Sequence, residues 1–127
     1  MRVESYYDKR EQYPMMKDFD SVGNVIDREK NNELLVAVKI HREVYSELGY
    51  HCNEEAPQLL HACVCAMFEL VFEMPIIKTV LLTPDIILEL LCEKEEVTED
   101  MRRYAAMSLY ALKEAFAGYL AERNKAE

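Results

Sequence analysis

His51, Cys52, His61, Cys63, Cys65, Glu69 and Cys92 include usable metal ligands in this 127-residue chain. On a helix, His61 and Cys65 are four apart and share a face. Structural zinc sites, however, pair cysteines as C-x2-4-C on a turn and place a second pair at a distance. Here the only close pair is a C-x-C, Cys63-Val64-Cys65, inside an apolar helical stretch, and no second pair follows. Cys63 and Cys92 read as small core residues, and His61 and Cys65 as the edge of a solvated stripe. Cys63 and Cys65 leave a helix in very different directions, so they are not expected to form a disulfide. The sequence therefore predicts no metal site and no cofactor.

Other chemistries lack their parts. A di-metal carboxylate bundle needs Glu-x-x-His pairs on facing helices, and none occurs. Nucleophilic catalysis needs a Ser, Cys or Thr beside a base and an oxyanion hole, and nothing in the sequence brings these together. The three glycines are isolated, so no phosphate-cradling loop is present. Glu95-Glu96-Val97-Thr98-Glu99 resembles the EExxE of the all-helical nucleotide pyrophosphatases, which hydrolyse nucleotides with magnesium. That resemblance covers five residues, lacks the later ExxD, and falls at an expected helix junction. The chain is not expected to be an enzyme.

What remains is a line of carboxylates. The formal charge is −9, and residues 54–100 carry eleven acids against only Lys78 and Lys94. Glu69, Glu73, Asp85, Glu89, Glu93, Glu95, Glu96, Glu99 and Asp100 form the candidate partner-binding ridge. Acids four apart on a helix are about 6 Å apart along its axis. Such spacing suits a groove of Lys and Arg that otherwise receives phosphates. The expected partner is thus a basic surface, for instance on a nucleic-acid-handling protein. Direct binding to nucleic acid or to a membrane is disfavoured by the same charge.

The elements that would position these residues read as helices. Leu59–Met74 places its polar residues Gln58, His61, Cys65, Glu69 and Glu73 in one line and apolar side chains everywhere else. This is a helix covered on most sides. Leu34, Val38, His41, Val44 and Leu48 predict an earlier helix over 27–48, with Gly49 closing it. Asn53 would cap the next helix, with Glu54 and Glu55 in its first turn. Ile76–Leu82 reads as a short helix, and Thr83-Pro84-Asp85 opens another. Thr98-Glu99-Asp100 caps a last helix to about Arg123, with Ala111, Ala115 and Gly118 allowing close approach. The expectation is an all-α, single-domain bundle of about four to five helices, with a buried central helix at about 54–74. Residues 1–24, charged and tyrosine-rich, form an irregular N-terminal arm, and 25–127 the bundle.

The opening MRVESYYDKREQYP has no apolar run and is not expected to be a signal peptide. No stretch of about twenty apolar residues is free of charge. Four cysteines then read as reduced thiols in a cytoplasmic protein. The functional expectation is a non-enzymatic, acidic helical interaction module, an inhibitor that mimics nucleic acid on a partner's basic surface. Two alternatives are a self-associating structural or chaperone-like protein, with a homodimer, and a helix-turn-helix regulator.

Overall fold

The computed structural model describes residues 2–126. Its centre is a three-stranded antiparallel sheet in the order β1-β2-β3, built from Ser21–Asp27, Asn32–His41 and Val44–Cys52. The all-α expectation is therefore overturned between residues 21 and 52. The apolar run Leu34–Val38 satisfies a helical period and a strand period at once, and Val22, Val25, Ile26, Val36, Val38 and Ile40 favour the strand. Leu34, Val36 and Val38 are fully buried on one face. Antiparallel pairing sets them beside Cys52, Tyr50 and Leu48 of β3. Gly49 is a strand residue, not a helix terminus.

Two turns hide this sheet from a sequence reading. Arg42 and Glu43 form a two-residue hairpin loop with φ of 53° and 65°. Both central residues at positive φ is the type I′ geometry, normally announced by Asn-Gly. Asn31, also at positive φ, closes the β1–β2 turn. Asn53 caps no helix: its Oδ1 accepts from the Glu33 amide at 3.0 Å and its Nδ2 donates to the Asn31 carbonyl at 3.1 Å.

The helices follow the sheet. α1 spans Val3–Tyr7, α2 Gln58–Val71, α3 Pro84–Leu91 and α4 Glu99–Ala126. Helix α4 lies across β1 and β2, and α2 packs between α4 and α1. Leu60, Ala62 to Phe68 and Val71 of α2 are all buried, so this helix is enclosed on most sides. The small residues foreseen on α4 meet a strand rather than a helix. A Cβ at Gly23 of β1 would overlap the Ala111 carbonyl. Ser21 Oγ donates to the Ala115 carbonyl at 2.6 Å. Ile76–Leu81 is a 3-10 turn that buries Ile76 and Thr79 and exposes Ile77, Val80 and Leu81.

The arm folds back on the domain. The Arg2 amide donates to the Leu91 carbonyl, and its guanidinium donates to the carbonyls of Leu90 and Glu89 at 2.7 and 3.0 Å. A cation thus serves the open carbonyls at the C-terminal end of α3. At its other end the Tyr13 carbonyl accepts from the Tyr50 amide at 3.2 Å. Between these anchors, α1 lies on α2. No helix is long and apolar enough to cross a membrane among the described residues.

Candidate functional site

The polar line of α2 lies beneath this arm. His61 is half-buried, Cys65 fully buried, and Glu69 is paired with Lys9 at 2.8 Å. Tyr7 meets the His61 ring edge-on with centroids 5.5 Å apart, and Arg10 stacks over Tyr7 at 4.0 Å. Tyr13 packs edge-on against Phe68. The arm therefore covers the side of α2 that the sequence assigned to solvent.

Strand β3 supplies the other half. Tyr50 and Cys52 are two apart on a strand, so both side chains point to the helices. Cys52 ends β3, and the chain returns through Pro57 into α2, bringing His61 back beside it. The Cys52 Sγ lies 3.4 Å from His61 Nε2 and 3.8 Å from Nδ1. The Tyr50 hydroxyl is 2.6 Å from Nδ1 and also meets the Cys65 thiol. Two proton placements satisfy this chain of contacts. In one, Tyr50 donates to Nδ1 and Nε2–H faces the sulfur; in the other, Nδ1–H donates to Tyr50 and a bare Nε2 accepts the Cys52 S–H.

The electrostatics keep all of these groups neutral. Burial, with the Arg10 charge adding to it, lowers the His61 pKa below its ordinary 6.5. Burial pushes the Cys52 and Cys65 thiols up to about 11. For Cys65 the Tyr50 hydrogen bond and Arg10 act in the opposite direction. Burial likewise raises the Tyr50 hydroxyl. A neutral imidazole beside a thiol is the ligand form of histidine, and a metal ion would displace the thiol proton.

The remaining cysteines sit elsewhere. Cys63 is fully enclosed and its thiol is pushed up to about 12 by burial, with Cys92 adding to that. Cys92 Sγ contacts Met101 Sδ at 4.0 Å. These two are core residues. Among the described residues, no group of three or more His, Cys, Asp or Glu side chains is placed to hold a metal ion.

The nine carboxylates of the expected ridge are all exposed, but they are not a uniform unpaired row. Glu69 pairs with Lys9, and Asp85 lies 3.8 Å from Arg102. Glu93 and Glu96 form a capping box on the Lys94–Glu96 turn. Glu73 follows α2 at positive φ. Glu89 sits on α3, and Glu95, Glu99 and Asp100 on and after the capping turn. Tyr7, Arg10, Tyr50 and Cys52 went unnoticed as partners of His61. The signal for two of them is the Tyr50-His51-Cys52 alternation, which on a strand turns Tyr50 and Cys52 to one face.

No protein-family model matches the sequence, and no curated protein matches it. Among solved structures, the chain superposes on a putative iron–sulfur cluster assembly scaffold protein for the SUF system from the thermophilic Fervidobacterium islandicum AW-1. The TM-score is 0.69 at 8% identity, covering 90% of this chain and 93% of that one. The N-terminal part of a nitrogen-fixing NifU-like protein from Brucella abortus matches with a TM-score of 0.56 at 18% identity, covering 98% and 86%. A hypothetical protein matches at 0.52 and 11% identity, over 96% and 94%. At these identities the fold is what is shared: a three-stranded antiparallel sheet packed against helices, as in the scaffold proteins. This overturns the reading of an acidic helical inhibitor that mimics nucleic acid, and with it the self-associating bundle and the helix-turn-helix regulator. Each rested on a bundle of helices, and a sheet stands where the first of them was expected. The segment proposed for the regulator's first helix is a 3-10 turn followed by extended backbone at Leu82 and Thr83.

Proposed function

We propose that this chain is a non-enzymatic binding protein of iron–sulfur cluster assembly, with the Cys52–His61 pair as its contact with iron. The observation that carries the reading is the position of that pair at the β3–α2 junction of a fold shared with cluster-assembly scaffolds. A soft thiolate and a neutral imidazole both suit iron. Four free thiols fit a reducing, cytoplasmic setting. The exposed carboxylates of residues 69–100 favour a partner surface rich in Lys and Arg over nucleic acid or an anionic membrane.

Anaerobic calorimetric titration with ferrous iron tests this. One iron binds per chain in the unmodified protein, and affinity falls at least tenfold in C52S and in H61Q. Absence of ferrous binding, or equal binding by both variants, would overturn the reading.

A further inference from the structure

Cys65 is fully buried and Cys52 is 9% exposed, so whatever meets these thiols must first get past their cover. Residues 2–13 supply much of it. Tyr7 lies on the His61 ring and Lys9 bonds Glu69 at 2.8 Å. His61 and Glu69 stand one turn either side of Cys65 on the same face of α2. Arg10, on the same arm, lies close enough for its charge to act on the Cys65 thiol.

The cover is attached from outside. None of the described side chains of residues 2–13 is fully buried. The hydrophobic core is built from Leu34 onward, and Val3, Tyr6 and Tyr13 only rest against it. Arg2 and Lys9 make their contacts in exposed positions, where water and salt compete. Helix α1 has five residues and no side-chain cap. A helix needs roughly 12–15 residues to hold in water by itself, so α1 is helical because it is docked. The arm thus has two states, docked and helical or released and unstructured, and its release takes no side chain out of the core. Its far end is fixed. A Cβ at Gly49 of β3 would overlap the Pro14 carbonyl, so glycine lets the chain cross the strand in close contact there. Farther on, the Asp20 amide donates to the Val38 carbonyl, and the Asp20 carboxylate accepts from the Ile40 amide at 2.7 Å.

We propose that residues 2–13 are a lid hinged at Pro14, which opens as a unit while the sheet and α2 to α4 stay folded. Only this opening admits a reagent or ligand to Cys65 and to the Cys52–His61 contact. The Lys9–Glu69 ion pair is the latch. The lid stands on the packing alone; that it controls the entry of iron rests on the function proposed above.

The test is thiol labelling of the full chain with methyl methanethiosulfonate, read by peptide mass spectrometry, without urea and in urea below the unfolding midpoint. Cys65 should react faster than the core residue Cys63 by roughly tenfold or more. Its rate should barely respond to urea, because a local opening exposes little surface, whereas the Cys63 rate should climb steeply. Lys9→Glu and Glu69→Lys should each speed Cys65 by about two- to fivefold with Cys63 unchanged, and the double variant should return to the parental rate. Equal rates and equal urea slopes at Cys65 and Cys63 would overturn the lid, as would single variants that label Cys65 no faster than the parent. Ferrous titration separates the two claims. Local opening without iron binding leaves the lid and removes the proposed function; iron binding with Cys65 labelled only through global unfolding does the reverse.

Discussion

Tyr7 stands edge-on to His61, with an interplanar angle of 80°, and so makes the N-terminal arm one wall of the site. An aromatic pair of this kind contributes about 0.5–1.5 kcal/mol beyond its buried area. Tyr7→Ala should therefore destabilise the fold by about 1 kcal/mol or somewhat more, and should also uncover the thiols beneath. Peptide mapping after alkylation checks it: Cys52 and Cys65 react several-fold faster, and Cys63 and Cys92 at an unchanged rate. Uniform acceleration of all four would mean that the variant loosens the whole domain instead.

Gly23 is where β1 comes closest to α4, and a methyl group there meets backbone rather than a side chain that can swing away. Gly23→Ala should cost about 1–3 kcal/mol or more, as overpacking does. Gly118→Ala is the contrast, because its added carbon would lie 3.0 Å from the Ser21 hydroxyl and the helix gains propensity. Its stability should stay within about 1 kcal/mol of the parent. Chemical denaturation of both variants makes the comparison.

The pH dependence has two limbs with one cause, burial that disfavours the charged form of each group. The His61 pKa is lowered in the folded state, so the unfolded chain binds more protons below about 6.5, and stability falls as pH drops through that value. The thiols of Cys52 and Cys65 are raised from 9.0 to about 11. Their contribution is complete below pH 9 and is lost as pH rises from there towards 11. Thermal melts should thus show a plateau between these limits. His61→Gln should flatten the acid limb and leave the alkaline limb in place.

Arg42 and Glu43 occupy the left-handed region without being Asn or Gly. Left-handed backbone costs an ordinary L-residue roughly 1–2 kcal/mol, and Asn less. Arg42→Asn leaves the Glu43–Arg123 ion pair intact. It should raise stability by about 0.5–1 kcal/mol, read as a higher melting temperature.

The helical half of the fold was legible because its signals are local. Thr98 accepts from the Met101 amide as a cap should, Pro84 opens α3, and α2 is as apolar as its sequence. The sheet was not legible, because Leu34 to Val38 are apolar at consecutive positions and the hairpin turn carries Arg42-Glu43 in place of Asn-Gly. The site was half legible. His61 and Cys65 stand out as an i, i+4 pair, yet their partners Tyr50 and Cys52 come from β3, the start of which also fits a helical period. The arm's docking on them is tertiary, and no short-range pattern announces it.

Iron K-edge X-ray absorption of the ferrous-loaded chain, prepared without added thiol, reads the ligands directly. A metal held by Cys52 and His61 shows one sulfur at about 2.3 Å and one imidazole nitrogen at about 2.0–2.1 Å, with lighter donors completing the shell. A shell of oxygen and nitrogen alone, or one with two or more sulfurs, would contradict the assignment.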